Sequence, residues 1–249
     1  MEFTERLLRD AGVTAGMRVI DVGCGRGDVS FLLAQIVGDA GEVVGVDRDR
    51  GAVEAARDDA RERDASRVSF VVGDFSTPPT DRPFDALVGR RVLMYQRDQV
   101  DAVRQVARAL RKGGIVVFQE HDSTMVPASA KPLPLHEQVE RWIWQTVEKE
   151  GATIHTGFEL ASVLEEAGLV VEEVRAEAVI HTARAHAKGH HSIGTIVRFM
   201  VPRIVAQGVA TEAELDVATL DERLLEERTR ANAVFISDMM FGAWARKPG

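Results

Sequence analysis

The chain has 249 residues, 45% of them hydrophobic, and a formal charge of −8; that much apolar side chain can bury one large core, so disorder is not the default. A pI near 5.4 without any Lys/Arg-rich run offers no field for polyanions, which makes nucleic acid a poor substrate and partner. One cysteine, Cys24, excludes an internal disulfide, no apolar stretch approaches the ~20 residues of a membrane span, and MEFTERLLRDAG lacks the apolar core of a signal peptide, so a cytoplasmic protein with no membrane partner is expected.

In chain order, the short β-branched runs MRVIDV, EVVGVD, RVSFVVGD, FDALVG and IVVFQE alternate with segments of helical spacing. Phe31, Leu32, Gln35 and Ile36 continue from Asp28, read as an N-cap, and Val100, Val103, Val106, Ala107 and Leu110 form a stripe after Asp98 that Lys112-Gly113-Gly114 is expected to stop. Repeated strand–helix–strand units predict a doubly wound, mostly parallel sheet with helices on both faces, whose ligands bind at the carboxyl ends of the strands. Beyond residue 122, Pro127, Pro132 and Pro134 mark a loop, and LHEQVERWIWQTVEKE reads as a helix bearing Trp142 and Trp144. Thr156 to Glu159 reads as a capping box opening a helix that ends at Gly168, LVVEEVRAEAVI as a strand, and VFISDMMFGAWARK as the last strand. Between His181 and Asn232 lies a helix-rich insertion that includes IGTIVRFMVPRIVAQG and a second capping box at Thr211 to Glu214. With no repeat or low-complexity tract, one domain is expected, with a core over about 12–120 and further helices over about 123–168 and 182–232.

VIDVGCGRGD, residues 19 to 28, places Gly23, Gly25 and Gly27 at the end of the first strand, where glycine lets the backbone approach a ligand closely. The phosphate-loop pattern is absent, and the dinucleotide pattern fails because its last position is Asp28. Asp21 before the turn and Asp28 after it also disfavour a pyrophosphate. Asp47 closes the second strand, where a carboxylate can take both hydroxyls of a ribose, and Asp74 closes the third, within reach of a base amine. The ligand reads as a nucleoside without phosphates.

From about Thr14 to Gly114 the chain resembles the class I S-adenosylmethionine-dependent methyltransferases of small-molecule type, with V-I-D-V-G-C-G-R-G, V-V-G-V-D, V-V-G-D-F, F-D-A-L-V-G-R-R-V-L and L-R-K-G-G in order. The resemblance implies a Rossmann-like doubly wound sheet of about seven strands with a helical insertion between the last two, and S-adenosyl-L-methionine as cofactor. Carried over by position, Gly23 to Gly27 pack on the methionine part, Asp47 holds the ribose hydroxyls, Asp74 and Phe75 meet the adenine, and Arg90 offers a backbone carbonyl to the cofactor's amino group. Asp21, Cys24 and Arg48 complete the expected cofactor set; Cys24 is a small loop residue rather than a nucleophile, and Arg91 is a weaker candidate than Arg90. Because relatives usually join their last two strands as a hairpin, the insertion is an addition, either a lid or the surface of a homodimer.

Departures from family patterns narrow the acceptor. No Asn-Pro-Pro-Tyr element follows the fourth strand, GRRVLMYQ lacks the acids that catechol-type enzymes use to hold Mg²⁺, and Tyr95 stands where plant-type O-methyltransferases carry a catalytic histidine. A phenol of pKa near 10 is a poor base, so Tyr95 is expected to line the pocket or orient a group. FQEHD, residues 118 to 122, puts Glu120 and His121 at the end of the fifth strand, and His121 is the best placed of seven histidines to remove the acceptor's proton, with Tyr95 and Glu120 as further catalytic candidates. The alternative is that His121 only caps the strand or contacts the cofactor. His155 and His181 are pocket candidates from less certain elements. His186, His190 and His191 have metal-like spacing but no matching acid or cysteine, so they are read as a solvated helix start and no metal is expected. The expected function is methyl transfer to an O, N or C atom of a small molecule; a cyclase that uses the cofactor as a fixed charge, or a non-catalytic scaffold, are the alternatives.

Overall fold

A computed structural model describes residues 1–74, 78, 82–125, 127–183 and 192–249. The elements run α1 (Glu2–Asp10), β1 (Arg18–Val22), α2 (Asp28–Val37), β2 (Glu42–Asp47), α3 (Arg50–Glu62), β3 (Val68–Val72), β4 (Phe84–Arg90), α4 (Gln99–Val106), β5 (Leu110–Asp122), α5 (Pro134–Lys149), α6 (Thr156–Glu166), β6 (Val170–His181), α7 (Ile193–Ala206), α8 (Glu212–Leu215), α9 (Leu220–Ala231) and β7 (Phe235–Arg246). The strands form one sheet in the order β3-β2-β1-β4-β5-β7-β6, and β1 pairs in parallel with both β2 and β4. The chain winds outward from β1 to β3, returns to β4 and winds the other way, so the strand order reverses between β1 and β4, where open α/β sheets bind ligands. The expected helical insertion between the last two strands is present as α7, α8 and α9.

The chain divides into two compact units. The first comprises 2–120, 157–175 and 241–249. Its β-branched strands are buried on both sides: Val19, Val43, Ala86, Val88, Ile115 and Val117 pack with Leu33, Ile36 and Val37 of α2 and with Val53 and Ala56 of α3 in one apolar core. The second comprises residue 1, 121–156 and 176–240 and buries Val139, Ile143 and Val147 of α5, Val197, Met200 and Ile204 of α7, and Leu220 and Leu224 of α9. Within it the fully buried His136 ring donates from Nδ1 to Glu227 at 2.7 Å and accepts Arg228 Nη1 at Nε2 at 2.6 Å. Burial and the Arg228 charge hold that imidazole below its usual range, in keeping with a neutral ring that donates on one side and accepts on the other.

Local chemistry sets several boundaries differently from the pattern reading. Gly27, at φ 90°, is the N-cap of α2, and Asp28 is its first residue. Helix α4 ends at Val106; Leu110 and Lys112-Gly113-Gly114 belong to β5, where Phe84 pairs with Leu110 and Ala86 with Ile115, so the extra residues form a bulge with Gly113 at φ 69°. Thr156 opens α6 itself and its hydroxyl donates to the Thr153 carbonyl at 2.9 Å. The Asp98 cap of α4 and the Thr211–Glu214 capping box of α8 are as expected. Among the described residues, no helix is long and apolar enough to cross a membrane. His186, His190, His191 and Phe75 lie outside the described residues.

Candidate functional site

Three glycines shape the turn after β1. Gly23, Gly25 and Gly27 have φ of 69°, 53° and 90°, a region that side chains resist. A Cβ on Gly23 would lie 2.4 Å from Val92, and one on Gly27 2.7 Å from the Phe70 ring, whereas one on Gly25 would meet nothing within 4 Å. Packing therefore requires two of the glycines, and the third leaves the backbone open. The turn is tied to β2: Gly23 and Cys24 donate to the Val46 carbonyl at 2.8 and 3.1 Å, and Gly25 donates to Asp47 Oδ2 at 2.8 Å. Asp47 Oδ1 accepts Asp49 N–H at 2.8 Å, which fixes the carboxylate at the end of its strand.

A cavity of about 510 Å³ opens here, bordered by Val22, Gly23, Asp47, Arg48, Gly73 and Asp74 on one side and by Arg91, Val92, Tyr95, Gln96, Asp98 and Asp101 on the other. Its lining mixes four acids, Asp47, Asp74, Asp98 and Asp101, with three arginines, Arg48, Arg91 and Arg97, so it offers acceptors for sugar hydroxyls and groups of both signs for a ligand that carries both. Those residues and the glycine turn fit a nucleoside sulfonium.

Beneath the turn, Asp21 is buried at the end of β1 and accepts the Ser30 hydroxyl at 2.6 Å. Burial pushes its pKa up to about 7, against the pull of Ser30 and Arg90. Arg90 lies 3.8 Å from Asp28. Burial, with the charges of Asp21 and Asp47, pushes the Cys24 thiol far up, which leaves it a poor nucleophile. Glu120 is fully buried at the end of β5; its Oε1 accepts the backbone N–H of Val92 at 2.9 Å and of Leu93 at 2.8 Å, and burial raises its pKa to about 7. The 3₁₀ turn Leu93–Tyr95 that it caps carries Tyr95 to the cavity wall.

The second unit holds a separate polar cluster. His121 Nδ1 donates to the carboxylate of Asp238 on β7, and each side chain is 16% exposed. Ser237 donates to Asp238 Oδ1 at 3.3 Å and lies 3.2 Å from His181 Nε2. Glu140 of α5 is buried, and burial together with the Asp238 charge pushes its pKa well up. His155 instead faces Thr124, at 2.8 Å.

The family model described as a methyltransferase domain matches residues 13–168, more than half of the chain. The chain belongs to the class I S-adenosylmethionine-dependent methyltransferases. S-adenosylmethionine is the cofactor of this methyltransferase. It is 38% identical over 114 residues to aklanonic acid methyltransferase DauC of Streptomyces sp. (strain C5), covering 45% of this chain and 52% of that one. It is 32% identical over 124 residues to demethylmenaquinone methyltransferase of Staphylococcus aureus (strain MRSA252), covering 49% and 51%. The aligned part thus spans about half the length of each of these relatives. An Aquifex aeolicus methyltransferase described as SAM dependent shares the fold, with a TM-score of 0.58 at 16% identity over 98% of this chain and 88% of that one.

The methyltransferase brings Asp47, Arg48, Asp74, Gly23 and Tyr95 to one cavity, whereas Asp21, Cys24, Gly25, Gly27, Arg90 and Glu120 are not among its lining, Asp21 and Glu120 being buried carboxyls. Sequence reasoning missed Asp238 and Glu140. Asp238 stands 117 positions from His121 in the last strand, and nothing in SDMM marks it as the partner of a histidine.

Proposed function

We propose that this chain methylates a small organic acceptor, with His121 as the group that takes the acceptor's proton and Asp238 as its positioning partner. The bonded His121–Asp238 pair carries this reading. With Nδ1–H committed to the carboxylate, the free lone pair is on Nε2, and Asp238 stabilises the imidazolium that forms when a proton arrives. The cofactor supplies an electrophilic methyl group on a sulfonium. Asp47 would hold the ribose hydroxyls and Asp74 the adenine amine, the glycine turn would admit the methionine part, and Tyr95 would orient a group at the cavity wall. The names of the two relatives, one acting on aklanonic acid and the other on demethylmenaquinone, support a small organic acceptor.

One domain with a cofactor core over about 12–120 and acceptor-covering helices over about 123–168 and 182–232, working in the cytoplasm without nucleic acid, belongs to the same proposal, supported by the acidic composition. The test is incubation with S-adenosylmethionine and a panel of small acceptors that includes aklanonic acid and demethylmenaquinone, read by mass spectrometry. Release of S-adenosylhomocysteine with a product heavier by one methylene supports the proposal. Acceptor conversion with the cofactor intact would overturn methyl transfer in favour of a cyclase-type reaction.

A further inference from the structure

Arg91 has φ 57°. The other non-glycine residues at positive φ among those described are Asp64, Asp216 and Asn232, whose short polar side chains tolerate this region; an arginine has no such excuse. The conformation is held from several sides. Arg91 N–H donates to the Gln119 carbonyl at 2.8 Å, and the next two N–H groups, of Val92 and Leu93, both go to the buried Glu120 carboxylate. Backbone strain that its surroundings enforce in this way concentrates where a side chain must be presented to a ligand. Here the side chain borders the cofactor cavity.

Arg91 is exposed to solvent. Arg90, its neighbour, faces Asp28 and the buried Asp21, and the two like charges oppose each other. Among the described residues, the Arg91 guanidinium makes no hydrogen bond or ion pair. Glu120 feels that charge but spends Oε1 on the backbone and leaves Oε2 buried without a partner. A guanidinium fork fits a carboxylate by two parallel hydrogen bonds.

We propose that Arg91 is a carboxylate-binding side chain of the cavity, presented there by a strained backbone that Glu120 holds as a positioning residue. The carboxylate belongs either to the amino-acid end of the cofactor or to the acceptor. The proposal rests on reading the cavity as the cofactor's. Calorimetric titration with S-adenosylhomocysteine and with 5′-methylthioadenosine, the same nucleoside without the amino-acid end, separates the sources. If the cofactor supplies the carboxylate, Arg91→Gln weakens S-adenosylhomocysteine about tenfold or more and leaves 5′-methylthioadenosine within about twofold. If the acceptor supplies it, both affinities stay unchanged, and 2-naphthoate raises the melting temperature of the S-adenosylhomocysteine-loaded wild type but not of the variant.

Arg91→Gly, freed of the strained φ, keeps a melting temperature at or above that of the wild type while losing the same binding. Arg91→Gln matching the wild type with all three probes, or a large fall in the melting temperature of Arg91→Gly, overturns the proposal. A wild type that binds neither nucleoside overturns the cavity reading and this proposal with it.

Discussion

His121 and Asp238 are joined through Nδ1 although they stand 117 positions apart, and burial and the Asp238 charge push the pKa of the buried Glu140 well up. If the imidazole is the base, His121→Gln lowers turnover by about 10²-fold or more and leaves S-adenosylhomocysteine affinity nearly intact. Asp238→Asn, which removes the charge that would steady the imidazolium, gives a smaller fall. Steady-state rates beside calorimetry check both. A fall of less than about fivefold for His121→Gln would point instead to a methylation driven by proximity alone or to a base elsewhere.

Asp47→Ala should cost about 1.5 to 3 kcal/mol of cofactor binding, roughly ten to a hundredfold in affinity. The same change frees the N–H groups of Gly25 and Asp49, so a modest loss of melting temperature accompanies it. Titration of the folded variant decides the matter, and an unchanged dissociation constant would remove Asp47 from the site.

Asp21 is raised from 3.8 to about 7 in the folded chain, so between those values the native state holds a proton that the unfolded state has released. Stability therefore falls as pH rises through that window and levels off above it. Asp21→Asn keeps an acceptor for the Ser30 hydroxyl and carries no charge. Its melting temperature relative to the wild type should climb from pH 5 to pH 8. Glu120 titrates in the same direction, but it is present in both proteins and cancels in the difference. A gap that does not change with pH would show that Asp21 titrates normally.

Helices α7 and α9 distinguish a lid from a dimer surface by hydrogen exchange. As a lid, the amides of Ile193–Ala206 and Leu220–Ala231 gain protection when S-adenosylhomocysteine and a turned-over acceptor are added. As a dimer surface they gain it when the protein is concentrated without ligand. Mass-resolved exchange at two protein concentrations reads both.

The alternation of β-branched runs and helical stripes is legible as a sheet because strands buried on both faces must be apolar throughout, and the glycine turn and Asp47 are legible as candidates for a cavity because both lie at strand ends, where Gly23 and Asp47 line one. Asp28 was read as a cap since its side chain is suited to one, but Gly27 takes that position by adopting φ 90°, which frees the Asp28 carboxylate for Arg90. Lys112-Gly113-Gly114 resembles a helix stop, yet the glycines serve a bulge inside β5, a feature that depends on pairing with β4. Glu120, a catalytic candidate beside His121 in the sequence, is buried and accepts two backbone N–H groups, which only the fold reveals. Asp238 and Glu140 were not legible because only the folded chain brings β7 and α5 to His121.

Asp47 already holds two backbone N–H groups, one on each oxygen, and each oxygen keeps a further lone pair. Sugar hydroxyls can be accepted on those lone pairs without displacing Gly25 or Asp49. If the cofactor loads at this carboxylate without a preceding rearrangement, its observed rate rises linearly with ligand concentration in a single phase, and differences in affinity among nucleosides appear in how long each remains bound.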